Sequence, residues 1–68
     1  MYNEKKLRIA MLEAGMTVGQ LATAIGINES TLYRKIKGKT EFTLSEMQDI
    51  CKILGIQGGG IFFDEELA

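Results

Sequence analysis

Apolar residues recur along the chain at helical spacing, and each run ends at a glycine. Leu7, Met11 and Ala14, with Ala10 and Leu12 beside them, predict a first helix over about residues 3–14. Asn3 is placed to cap its start, and Gly15 to end it in a left-handed conformation. Leu21, Ala22 and Ile25 mark the inner face of a second helix over 18–25, which Gly26 ends. Thr17 and Gln20 make a Thr-x-x-Gln capping box there, and Met16 is spaced to staple onto Leu21. Only Ile27 and Asn28 separate Gly26 from a third helix, over 29 to about 37, with Asn28 as its cap. Its inner residues are Leu32 and Ile36; its outer ones are Glu29, Ser30, Tyr33, Arg34 and Lys37; Gly38 closes it. Residues 39–42 read as a short polar loop. Thr43 and Glu46 then form a second capping box, opening a fourth helix with Leu44, Met47, Ile50, Cys51 and Leu54 on its buried face. Gly55 ends that helix and Ile56 plugs the core. Three glycines, 58–60, read as a hinge. Beyond them lie an apolar segment over 61–67, opening with Ile61, Phe62 and Phe63 and including Leu67, and an acidic end. The pattern predicts an all-α chain: a single domain over 1–68, built as a compact bundle of about five short helices.

Composition narrows the options. Sixty-eight residues bury only a modest core. Cys51 is the one cysteine and histidine is absent, so neither an internal disulfide nor a zinc site is expected, and no metal or cofactor is implied. Cys51 reads as core, because no base accompanies it. No apolar run approaches the roughly 18 residues of a membrane span. Charges without a following apolar stretch make the N-terminus unlike a signal peptide. The expectation is a soluble, cytoplasmic protein that does not engage membranes. Enzymatic activity is not expected, since there is no nucleophile–base pair, and the three glycines lack the Lys-Ser/Thr of a phosphate loop.

The net charge of −1 conceals an asymmetry. Residues 1–40 carry seven basic side chains (Lys5, Lys6, Arg8, Arg34, Lys35, Lys37, Lys39) against three acidic ones (Glu4, Glu13, Glu29). Residues 41–68 carry Lys52 alone against Glu41, Glu46, Asp49, Asp64, Glu65 and Glu66. A phosphate backbone responds to the local field of the first part rather than to the sum.

Two short helices joined by one tight turn, the second polar on its outside, are the parts of a helix-turn-helix over about residues 17–37. Ala22 lets the helices approach, Gly26 makes the turn, and Leu21, Ile25, Ile27 and Leu32 lock the pair. Leu21-Ala22-x-x-Ile25-Gly26-Ile27 with Leu32 resembles the phage repressor and Cro family, also called XRE. The stretches from Ser30 to Lys39, Phe42 to Glu46 and Ile53 to Ile56 look like its small prophage regulators. The resemblance covers about residues 5–63 and implies a repressor that occupies an operator on double-stranded DNA, as a homodimer and without a small-molecule ligand. It puts Glu29, Ser30, Thr31, Tyr33 and Arg34 at base edges. Arg34 suits guanine, Glu29 suits cytosine, and Ser30 is permissive. Glu29 has an alternative role, as an acid favouring the helix N-terminus. Phosphate contacts are expected from Thr17, Gln20, Asn28, Lys37, Lys39 and Thr40. Ile61, Phe62, Phe63 and Leu67 are assigned either to the core or to a dimer seam.

Two positions depart from the family. Val18 stands where many members have a glutamine braced against phosphate. Lys35 stands where an apolar residue is usual, which calls for a slight rotation of the helix or for Lys35 to snorkel to water. A second function class also fits the net acidity and the aromatic segment: an antitoxin-like or anti-repressor-like protein-interaction module on the same scaffold.

Overall fold

The computed structural model describes residues 2–56 and 60–62. Helix α1 spans Glu4–Ala14, α2 Val18–Ile25, α3 Glu29–Ile36 and α4 Leu44–Leu54. The all-α expectation holds among the described residues, but they contain four helices, not about five. Gly60, Ile61 and Phe62 form a turn. Phe63, Leu67 and the acidic end lie outside the described residues, as do Gly58 and Gly59 of the expected hinge.

Local chemistry fixes the helix ends. Asn3 Oδ1 accepts from the Lys6 N–H at 3.0 Å and caps α1. Both capping boxes form: the Thr17 and Thr43 hydroxyls each accept a backbone N–H, and the Gln20 and Glu46 side chains reach back to the cap. Asn28 is extended at the start of α3 but its side chain makes no cap hydrogen bond, contrary to expectation. The four C-termini close alike, with the residue after a glycine bonded five residues back: Met16 to Met11, Ile27 to Ala22, Lys39 to Arg34 and Ile56 to Cys51. Met16, Ile27 and Ile56 then pack against the core.

Helix α2 packs on α3 and α4, and α1 packs on α4. Leu7, Leu21, Leu32, Ile36 and Ile50 are completely buried. Each contributes about 1.5–3 kcal/mol through area removed from water. Three apolar positions expected inside are not. Ala14 is exposed at the last turn of α1, Leu12 lies on its outer side, and Leu44 is 59% exposed. The expected polar loop at 39–42 instead delivers Phe42 to the core, 8% exposed. Phe42 precedes the Thr43 cap and Met47 lies four residues into α4, the spacing of a hydrophobic staple.

Ile61 and Phe62, each 6% exposed, fold onto the core of their own chain. Phe62 meets Tyr2 and Phe42 with ring centroids 6.0 and 5.1 Å away, and Tyr2 and Phe42 are 5.3 Å apart. The Tyr2 hydroxyl donates to the Ile36 carbonyl at 2.7 Å, and the Asn3 N–H donates to the Ile61 carbonyl at 2.6 Å. The start of the chain and the segment at 61–62 thus form a floor beneath the end of α3. No helix among the described residues is long and apolar enough to cross a membrane.

Candidate nucleic-acid interface

Helix α3 presents the site because two of its residues fix its rotation. Leu32 and Ile36 are fully buried, four apart on one face. At 3.6 residues per turn the opposite face carries Ser30 and Arg34, with Thr31 and Lys37 beside them. All four are exposed. Glu29 and Tyr33, the other two expected base contacts, sit on one shoulder of the helix; Tyr33 is 49% exposed. The Glu29 carboxylate lies against α2, where a Cβ added to Gly19 would stand 3.0 Å from its Oε1. Gly19 therefore leaves room for this side chain, which sequence spacing alone does not reveal.

The expected phosphate contacts are all exposed, but their donors differ in availability. Thr17 Oγ1 accepts from the Gln20 N–H at 3.1 Å, and Gln20 Oε1 accepts from the Thr17 N–H at 2.9 Å. The box uses only acceptor atoms, so the Thr17 hydroxyl hydrogen and the Gln20 amide hydrogens are left to donate. Val18 is half-buried and packs against the core. The Asn28 side chain, not engaged in capping, stands at the N-terminus of α3. Gly38, at φ +83°, turns the chain so that Lys37, Lys39 and Thr40 follow the helix closely.

Lys37 has a neighbour that sequence did not predict. Its Nζ lies 3.7 Å from Glu4 Oε2, which also accepts from Arg8 Nε at 2.8 Å. The Arg8 hydrogen bond, aided by Lys37, holds the Glu4 carboxyl below the usual glutamate range. The start of α1 therefore adjoins the end of α3. A Glu-x-x-x-Arg pair was visible in the sequence; its position beside Lys37 was not.

Lys35 does not snorkel to water. Its Nζ donates to Glu46 Oε1 at 2.9 Å and to the Glu41 carbonyl at 3.1 Å, and its side chain is 12% exposed. The departure from the apolar pattern is thus absorbed by an ion pair to α4. Burial pushes the Glu46 carboxyl up, but the Thr43 backbone N–H and the Lys35 ammonium outweigh it and hold the group below its ordinary value. Burial also pushes the half-buried Cys51 thiol up, which disfavours the reactive thiolate.

A shared pattern of helices does not by itself distinguish one helical family from another. The model of the Cro/C1-type HTH DNA-binding domain matches residues 6–63. The chain belongs to this family. No curated protein and no solved structure matches it significantly. The Cro/C1-type match takes in α2, α3 and α4 entire and most of α1. Tyr2 and Glu4 fall outside the matched range. The hydroxyl that bonds the Ile36 carbonyl and the carboxylate beside Lys37 therefore come from residues outside the matched span.

Proposed function

We propose that this Cro/C1-type chain is a sequence-specific transcriptional regulator, a repressor of phage or prophage type that acts by occupying an operator on double-stranded DNA. The observation that carries the reading is the exposed Ser30–Arg34 edge of α3, held outward by the buried Leu32 and Ile36. Arg34 reads guanine through a bidentate contact, Ser30 and Thr31 complete the base-facing edge, and Tyr33 and Glu29 work from the shoulder. Thr17, Gln20, Asn28, Lys37, Lys39 and Thr40 hold the flanking phosphates. The protein works in the cytoplasm as a homodimer on a palindromic site, without cofactor or inducer. Because Ile61 and Phe62 are spent on the core, the seam draws on apolar side chains exposed elsewhere: Ile9 and Leu12 of α1 or Leu44 and Ile53 of α4. Selection of bound sites from a random DNA pool tests the reading. A palindromic consensus supports it, and recovery of unenriched sequence rejects it.

A protein-interaction role has one observation in its favour: Leu12 is 80% exposed beside Ile9 on the outer side of α1. Binding to random duplex at low salt separates the two readings, since a regulator retains non-specific affinity and an adaptor has none.

A further inference from the structure

Three charged side chains meet where α1 passes the end of α3, and their pairing is lopsided. One carboxylate, Glu4, serves two cations. Arg8 gives it a close hydrogen bond through Nε at 2.8 Å, whereas Lys37 stands off at 3.7 Å. None of the three is sequestered, for the Arg8, Lys37 and Glu4 side chains are 43%, 42% and 34% exposed. Arg8 commits only Nε to Glu4, so the other N–H donors of its guanidinium fork are not used by that bond. Lys37 directly follows α3, so this corner stands at the end of that helix. A backbone phosphodiester presents two anionic oxygens, which a guanidinium fork binds bidentately.

We propose that Arg8 is a further phosphate-contacting residue, and that Glu4 is a built-in anionic competitor that occupies Arg8 and Lys37 until DNA displaces it. The proposal rests on the DNA-binding function argued above. Its consequence is selective attenuation. Part of the positive charge at the edge of the reading helix is cancelled in the free protein, so weak non-specific encounters gain little from it. A properly seated duplex brings a phosphate close enough to replace Glu4 and recovers both cations together. The carboxylate thus lowers background binding more than it lowers binding to a well-fitted site.

The test compares binding of a short random-sequence duplex by the full chain and by Glu4→Gln, Arg8→Gln, the double variant and Glu13→Gln, over a salt series. Glu13 is an exposed acid of the same helix with no ion pair among the described residues, so its variant controls for net charge. Circular dichroism and thermal midpoints establish that each variant is folded. Glu4→Gln should bind about two- to fivefold more tightly at low salt, the worth of a surface charge pair. Glu13→Gln should give less than half that gain. Arg8→Gln should weaken binding to this duplex modestly in the parent background, whereas removing Arg8 from the Glu4→Gln variant, where its charge is uncancelled, should flatten the salt dependence by about 0.9 in log–log slope, one phosphate's share. In the Arg8→Gln background, the gain from Glu4→Gln should shrink. The proposal is overturned by an unchanged affinity in Glu4→Gln, by an equal gain in Glu13→Gln, or by an Arg8→Gln variant that matches the parent. Any of these with a parent that binds DNA leaves the regulator reading standing. If neither the parent nor Glu4→Gln binds duplex at low salt, both fail.

Discussion

The ammonium of Lys35 and the carboxylate of Glu46 meet at 2.9 Å between α3 and α4, both mostly out of water. Glu46 Oε1 also accepts the Thr43 N–H at 2.9 Å, so one oxygen caps α4 and anchors α3. The angle between the reading helix and the rest of the domain is thereby tied to a helix cap. Lys35→Met, which keeps the stem and removes the charge, should cost about 1–2 kcal/mol in urea unfolding. The pair should also show in acid. Because the Glu46 carboxyl is held below its ordinary 4.5 in the folded state, its contribution is complete above that value and drains away as pH falls through the lowered one. Stability measured from neutral pH down into this range should fall less steeply for Glu46→Gln than for the parent. Parallel curves would show that the pair contributes nothing.

Arg34→Ala should erase discrimination at one base pair, a loss of about 1–3 kcal/mol, while leaving random-duplex binding largely intact. Lys39→Ala should do the reverse, weakening all sequences alike and lowering the salt slope by about 0.9. Titrations of selected and scrambled duplexes by each variant would expose a wrong assignment, since the two losses would then not separate.

Gly19→Ala pits stability against geometry. Alanine in place of a helical glycine favours α2 by about 0.5–1 kcal/mol. The new Cβ would crowd Glu29 Oε1 at 3.0 Å, which is the movable end of a side chain and not backbone. The variant should melt higher than the parent while its base preference shifts at the position nearest Glu29. A raised midpoint with an unchanged consensus would remove Glu29 from the base-reading set and leave it a helix-terminal acid.

Tyr2→Phe deletes the hydrogen bond to the Ile36 carbonyl and should cost about 0.5–1.5 kcal/mol. Burial, with the nearby Glu4 charge, pushes the Tyr2 hydroxyl up to about 12 from 10.0. The folded state therefore resists its ionisation. Stability from this group is intact below pH 10.0 and is lost as pH climbs towards about 12. Tyr2→Phe should abolish that alkaline loss, which denaturant midpoints across this range would report.

Most of the helical frame was legible because its signals are local. Thr17 with Gln20, and Thr43 with Glu46, name their helix starts within four residues, and Gly26 names the turn. The outward edge of α3 was equally legible, since Leu32 and Ile36 set the phase. What escaped depends on residues distant in sequence. Lys35 looked like a misfit until Glu46 appeared opposite it, eleven positions away. Phe42 sat among polar residues, and only its place before a cap marks it as core. The two roles open for Glu29 turn on Gly19, and the freedom of Lys37 turns on Glu4, neither of them a neighbour in the chain. No pattern near Tyr2 announced a bond to a carbonyl thirty-four residues on.

The bond between Asn3 and Ile61 holds residues 2–3 and 61–62 side by side, under the last turn of α3. For anyone handling the protein, its N-terminal side is not neutral ground. An affinity tag directly before Tyr2 would press on this floor and, through Tyr2 and Ile36, on the end of α3. A tether in the exposed loop between α3 and α4 would instead crowd Lys39. The turn at Gly15 stands at the opposite end of α1 from Asn3, and the space beside it is open.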